Sequence, residues 1–447
     1  MPSQSDRPNI LVFVPHDLGD HLGCYGRRTV RSPNLDHLAE DGLRFTRYFT
    51  AAPECTPSRA GMMTGLYTHQ NGLMGLCHRG WEFKPEAQHL AQRLWRAGYD
   101  THLFGFQHET GMSPKRLGYN AMHSQQNVRA PAVCSEVVRF LNSDLARGEK
   151  PWFAHVGFSH VHRPWDEDTS FDPDQIDVPP YLPDNPNVRN DLAQFHENIL
   201  EMDRAVGTVL DAVRKANLTE QTVVIFTTDH GCPFPRAKST FYDPGIRIPL
   251  IIRCPGRFGG GKTHDVLLSN LDFTPTVLDL CGVSVPEGLE GRSFRPLLDD
   301  ESCEERDAVF GALYYDAFYD PMHCVRTRTH KYIRSFAVTP QDAEGADPEL
   351  LARHKTGIWI RADDSDVQSS LSWQSMAANH YPVPPPEELY DLTADPLEQR
   401  NLAGDASASD ILDKMRATMQ DMMERTNSPL LTGHVPPDLS RTRNQRV

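Results

Sequence analysis

The chain has 447 residues, of which 45 are Lys or Arg and 60 are Asp or Glu, and its formal charge of −15 argues against nucleic acid as a partner. A hydrophobic content of 39% gives ample core for a large domain plus a smaller one, and no apolar run is long enough to cross a bilayer, so no membrane is implied. Nine cysteines, an odd number scattered without C-x-x-C pairs, argue against a disulfide framework or a zinc ribbon and suit a reducing compartment. The opening MPSQSDRPNILVFVPHD lacks a basic segment followed by a long apolar one. The expected location is therefore the cytoplasm.

In chain order, residues 9–14 are a compact apolar run of the kind that makes a buried strand, and it ends in His16-Asp17-Leu18-Gly19. Residues 55–65 read Cys-Thr-Pro-Ser-Arg-Ala-Gly-Met-Met-Thr-Gly. Pro57 and Ser58 suit a helix start, which sets Cys55 beside terminal N–H groups that favour anionic ligands. Arg59 adds a permanently charged fork suited to an oxyanion. Residues 154–158 form another expected strand, leading into Ser159-His160-Val161-His162. Across 190–216, Leu192, Ile199, Met202, Val206, Val209, Leu210 and Val213 recur at helical spacing between charged residues, which predicts a long amphipathic helix. Residues 222–228 then predict a buried strand ending in Asp229-His230-Gly231. Three strands thus finish in Asp or His, where open α/β sheets place their sites.

After Phe310 the alternation of helix and strand gives way to turn-rich segments. These carry a strand near 324–333, a proline-rich loop at 383–386 and a final helix near 408–424. The domains are placed at 1–315 and 316–447, with an extended tail over 428–447 that is either disordered or an arm on a neighbouring molecule.

The run C-x-P-S-R at 55–59, followed by Thr64-Gly65, resembles the sulfatase signature, in which a maturation enzyme reads C-x-P-x-R in the unfolded chain and oxidises the cysteine to formylglycine. Further landmarks match in order: Pro8-Asn9-Ile10-Leu11, Ser32-Pro33-Asn34-Leu35-Asp36-His37-Leu38-Ala39, Thr227-Thr228-Asp229-His230-Gly231, Gly245-Ile246-Arg247-Ile248-Pro249-Leu250, and Glu388-Leu389-Tyr390-Asp391-Leu392 with Asn401-Leu402. The resemblance implies an alkaline-phosphatase-like α/β fold. A large mixed sheet would lie between helices, with a smaller C-terminal α+β domain holding a short antiparallel sheet. Gln70-Asn71-Gly72, the run 181–203 and Pro233-Phe234-Pro235 look most similar to the sulfamidase branch, which hydrolyses N-sulfated glucosamine.

What the family implies can be carried over residue by residue. Asp17, Asp229 and His230, with His16 either in the shell or hydrogen-bonded just outside it, would hold one divalent cation. Calcium is the family's metal, and the imidazoles shift the preference toward Mn²⁺ or Zn²⁺. The hydrated aldehyde derived from Cys55 would attack sulfur, with Asp229 helping to remove its proton and Arg59 holding it. Lys238 would neutralise the sulfuryl oxygens, and His162 would protonate the leaving group. His108 would take the proton from the second hydroxyl, so that the sulfated intermediate collapses. The partners implied are a small anionic sulfated substrate, a formylglycine-generating enzyme and, as one option, a second copy of the chain. One position departs: the family's Gly-Lys-x-His reads Gly105-Phe106-Gln107-His108, so a cation is missing. Phe106 could be turned away, with Arg236, Lys115 or His78 supplying the charge. The competing readings are a phosphodiesterase or phosphonate monoester hydrolase with the same nucleophile, and a non-catalytic binder of sulfated ligands.

Overall fold

The computed structural model describes residues 7–124, 126–315, 319–336, 367, 369–377 and 385–432. In chain order, its first ten strands are Asn9–Val14 (β1), Leu43–Phe45 (β2), Tyr48–Phe49 (β3), Asp100–Gly105 (β4), Ala121–His123 (β5), Trp152–Gly157 (β6), Thr222–Thr227 (β7), Leu250–Arg253 (β8), Lys262–His264 (β9) and Leu268–Ser269 (β10). Eight of them make one sheet in the order β5-β4-β6-β1-β7-β8-β2-β9, while β3 and β10 pair separately. Pairing is parallel from β5 to β7 and antiparallel on both sides of β8, so β8 alone runs against the rest. β1 lies at the centre, with Ile10 opposite Phe153 on one side and Val223 on the other.

The two-residue period of β1 divides the core. Leu11 and Phe13 face one layer, with Leu192, Ile199 and Val206 of the helix Pro186–Lys215 and Val133 and Val137 of the helix Ala130–Leu141. Ile10, Val12 and Val14 face the other, with Met62, Met63, Leu90, Leu94 and Val277. A strand buried on both faces has no polar alternation, which is why its sequence is uniformly apolar. The long helix starts four residues before the sequence predicts, because Asn185 accepts from the Val188 N–H at 3.1 Å and Pro186 opens the first turn.

A second sheet is fully antiparallel, with Val309–Tyr315 (β11), Tyr319–Arg326 (β12), His330–Ser335 (β13) and Glu387–Asp391 (β14) in sequential order. The single strand expected over 324–333 is corrected to two. The chain turns back at Thr327, which receives N–H bonds from His330 at 2.9 Å and Thr329 at 3.3 Å on its hydroxyl. This side-chain turn interrupts the ladder between Arg326 and His330. The helix Ser409–Arg425 covers this sheet through Leu412, Met415, Met419 and Met423, which reach Phe310, Val325 and Tyr332. The proline-rich loop is described only at 385 and 386, where the Pro386 carbonyl accepts from the Ser335 N–H. Residues 428–432, read from the sequence as the start of an outlying tail, close into a short turn. There Ser428 is buried and its hydroxyl lies 3.0 Å from Tyr314 Oη; positions 433–447 lie outside the described residues.

The two sheets are joined by a buried ionic knot. Asp243 takes both forks of Arg326 at 2.9 Å and Lys331 Nζ at 2.7 Å, while Lys331 also meets Glu398 at 2.6 Å. Removing one member strands a buried charge, which costs about 3–5 kcal/mol. Asp243→Ala is therefore expected to lower unfolding stability by about that amount in denaturant titration, and a loss below about 1 kcal/mol would contradict this account of the joint.

Candidate active site

Four neighbouring parallel strands, β4, β6, β1 and β7, end on the same edge of the sheet, and each is followed within a few residues by His or Asp. His108 follows β4, His162 follows β6, His16 and Asp17 follow β1, and Asp229 and His230 follow β7. This is the crevice at the carboxyl ends where α/β sheets bind ligands.

Opposite that edge stands the helix Cys55–Thr64, buried along its whole length, with Cys55 in its first turn. Its placement is fixed by hydrogen bonds of Ser58. The hydroxyl donates to the Asp229 carbonyl at 2.5 Å, lies 2.6 Å from Thr50 Oγ1, and accepts from Asn270 Nδ2 at 3.1 Å. The helix ends at Gly65, whose left-handed backbone (φ 73°) lets its N–H reach the Gly61 carbonyl at 2.8 Å.

The structure brings all nine sequence-predicted site residues together. Asp17 lies 2.7 Å from Lys238 Nζ, 3.1 Å from His230 Nε2 and 3.8 Å from His162 Nε2. Asp229 Oδ2 lies 3.0 Å from Arg59 Nη2 and 3.7 Å from His16 Nε2, and Asp229 Oδ1 accepts the Asp17 N–H at 2.9 Å. Cys55 Sγ is 3.4 Å from His230 Nε2. Ligand atoms of His16, Asp17, Cys55 and Asp229 all lie within 4.8 Å of one another, as do those of His16, Cys55 and His108.

Burial dominates the protonation chemistry. It pushes the Cys55 thiol well up against the pull of Lys238, so the unmodified cysteine is a poor nucleophile. It lowers His16 to about 4 and, with His16 and His78 nearby, His108 further below its usual value. Burial would lift Asp17 and Asp229, but Lys238 and the surrounding histidines hold Asp17 down, and His230 and Arg59 hold Asp229 down. Against burial, Asp229 and Asp17 raise His230 to about 9.

The donors fit a divalent cation. Asp17 Oδ1 lies 2.7 Å from His16 Nδ1 and 3.1 Å from His230 Nε2, and His16 Nε2 is 3.7 Å from Asp229 Oδ2, so buried carboxylate oxygens and imidazole nitrogens gather where a cation's donors would stand. His230 Nδ1 lies 3.0 Å from the Gly231 carbonyl, which fixes that nitrogen as the donor and turns Nε2 toward the carboxylates.

Phe106 is not turned away. Its ring sits 5.2 Å from His16 and 5.3 Å from His108, and Arg59 Cζ lies 5.3 Å from its centroid. Of the three substitute cations, His78 reaches the site, with Nδ1 3.1 Å from His108 Nε2. Arg236 instead donates to the Glu398 carbonyl at 3.0 Å, and Lys115 is an exposed residue of the turn Pro114–Leu117.

Sequence reasoning missed several residues. Asn270 braces the helix that carries Cys55 from 212 positions away. Glu54 caps that helix in sequence but bonds Ser239 Oγ instead, and burial raises its pKa. Glu109 is wholly buried, and both its oxygens lack partners among the described residues. Only tertiary packing reveals these; an acid next to His108 carries no periodic signal.

A cysteine at a buried helix start, two carboxylates and a histidine cluster at the strand ends of a mixed sheet form the arrangement of an alkaline-phosphatase-like hydrolase. The family model described as sulfatase matches residues 8–283, and the model of the N-sulphoglucosamine sulphohydrolase C-terminal region matches residues 235–347. The chain belongs to the sulfatase family, hydrolases of sulfate esters and sulfamates. It is 28% identical to N-sulphoglucosamine sulphohydrolase of Homo sapiens over 480 residues, spanning 94% of this chain and 91% of that protein. A solved structure of a protein in complex with its substrate D-glucosamine-2-N,6-O-disulfate has a TM-score of 0.71 at 18% identity, over 95% of this chain and 99% of that one. Phosphonate monoester hydrolase of Agrobacterium radiobacter has a TM-score of 0.71 at 21% identity, over 94% and 96% of the two chains. At these identities the structural likeness is one of fold.

Glu109 generates a test of the site's electrostatics. Burial raises its pKa from 4.5 to about 7, so folding favours the protonated acid. That contribution is full below the unfolded value and is lost as pH rises through about 7. Glu109→Gln removes the titration, so its stability relative to wild type should move by about 3 kcal/mol in the variant's favour between about pH 4 and about pH 8. Urea titrations across that range check this; a constant difference would contradict it.

Proposed function

We propose that the chain is a formylglycine-dependent sulfatase acting on a small sulfated sugar, as an O-sulfate ester or a sulfamate. The observation that carries this reading is Cys55 at the start of a buried helix, with its sulfur among His16, Asp17, Asp229 and His230. The C-terminal match over residues 235–347 and the N-sulphoglucosamine sulphohydrolase relative support the sulfamate branch. Because Cys55 and Arg59 are buried in the folded chain, a formylglycine-generating enzyme must read them before folding is complete.

Asp17, Asp229, His230 and His16 would hold the cation, which we take to be calcium because carboxylate oxygens carry the charge of the set. When bound, it supplies Lewis-acid polarisation of the sulfuryl oxygens. The formylglycine hydrate, once formed, supplies the attacking hydroxyl. Asp229, held by Arg59 at 3.0 Å and by the backbone N–H groups of Asp17 and His230, is oriented to accept that hydroxyl's proton. Lys238, beside Asp17, places its charge at the sulfuryl oxygens. The Nδ1–H of His162 meets the Arg163 carbonyl and Nε2 faces Asp17 and Lys238; in the imidazolium form both nitrogens carry protons, and the Nε2 proton is the one passed to the leaving oxygen or nitrogen. His108 takes a proton from the second hydroxyl, and exposed His78, 3.1 Å away, offers it a route to solvent. The phosphonate hydrolase likeness is confined to fold, so the sulfatase reading stands over the phosphodiesterase one.

Co-expression with a formylglycine-generating enzyme should lower the mass of the Cys55 peptide by about 18 Da, the change from CH₂SH to an aldehyde. Cys55→Ala should abolish turnover of glucosamine N-sulfate and of sugar O-sulfates. An unmodified Cys55, in a host that converts a control sulfatase, would overturn the nucleophile. Chelation of the converted enzyme should lower kcat by at least about a hundredfold, with Ca²⁺ restoring it better than Mn²⁺ or Zn²⁺. Unchanged activity after complete metal removal would overturn the cation's role.

A further inference from the structure

The helix Leu371–Ala377 packs against the long helix Pro186–Lys215. There Ser372 donates to Asp191 Oδ2 from its hydroxyl at 2.5 Å and from its N–H at 3.3 Å. Asp191 in turn holds Arg163 in a two-pronged pair at 2.6 and 2.7 Å. The third guanidinium direction, Arg163 Nε, donates to the Pro233 carbonyl at 3.0 Å, and Trp165 stacks on the guanidinium at 3.9 Å. Ser372, Asp191 and Arg163 are all almost fully withdrawn from solvent. With all three of its nitrogens engaged, the Arg163 side chain is held in place, and its own carbonyl accepts the Nδ1 proton of His162.

We propose that Ser372 and Asp191 are positioning residues for His162, so that the C-terminal segment sets the leaving-group proton donor. This rests on the reading of His162 as that donor. The physical link is short. Fixing Arg163 fixes the carbonyl that binds Nδ1–H, which holds the ring so that Nε2, protonated when His162 is the imidazolium, points toward Asp17 and Lys238. A proton donor displaced by about 1 Å loses much of its effect, because proton transfer requires hydrogen-bond reach. Nothing in the sequence connects position 372 to position 162; the connection exists only in the fold.

The chemistry supplies a readout that a purely structural clamp would not move. Phenyl sulfate expels a basic phenolate that needs protonation, whereas 4-nitrophenyl sulfate expels a stabilised anion that needs little help. The ratio of kcat on the two substrates, taken on one sample of converted enzyme, is independent of how much of the sample is folded. His162→Asn should lower kcat on phenyl sulfate at least about tenfold more than on 4-nitrophenyl sulfate. Asp191→Asn should reproduce a bias of about tenfold and Ser372→Ala one of about threefold, both in the same direction. A bias in His162→Asn that is absent from both other variants would overturn the positioning role and leave the donor reading intact. No bias in His162→Asn would overturn both.

Discussion

The pair between Arg59 and Asp229 holds the site together, because each partner is completely buried and an unpaired charge at that depth would be strongly destabilising. Asp229 does more than neutralise Arg59. It accepts the N–H of Asp17 after β1 and of His230 after β7, and its carbonyl receives the Ser58 hydroxyl of the nucleophile helix. One residue thereby registers two strand ends and the helix that carries Cys55. Arg59 extends the same lock by donating to the Pro15 carbonyl at 2.9 Å. The arrangement explains why an arginine stands four positions after the cysteine: one turn along the helix, it points inward at the same level of the sheet.

Much of this was legible in the sequence, for definite reasons. β1 is apolar from Ile10 to Val14 and β7 from Val223 to Phe226 because both are buried on both faces, and His16-Asp17 and Asp229-His230 follow them within three residues of their ends at the crevice. Local chemistry thus pointed at His16, Asp17, Asp229 and His230 before any contact was known. His108, Lys238 and the role of His162 were legible only through the family resemblance, since a lone histidine or lysine in a loop carries no pattern. The hairpin at 327–329 was illegible because no glycine or proline marks it, and a threonine hydroxyl makes the turn. Asn270, Asp191 and Ser372 act across separations of about two hundred residues, which no local periodicity encodes.

The electrostatic balance also bears on what the site can hold. Arg59 is committed to Asp229 and Lys238 lies against Asp17, so each fixed cation already faces a carboxylate. Phe106 presents an aromatic ring where the family pattern has a further cation, and burial raises the pKa of Glu109, the acid that follows His108. Fixed positive charge in excess is therefore small, and the remainder must come from a bound cation and from the histidines. A sulfate monoester or a sulfamate carries a single negative charge, whereas a phosphate monoester carries up to two near neutral pH. In a low-dielectric crevice the second charge would lack a partner and would be disfavoured by the cost of burying an unpaired charge. The poverty of cations at Phe106 thus suits a singly charged group.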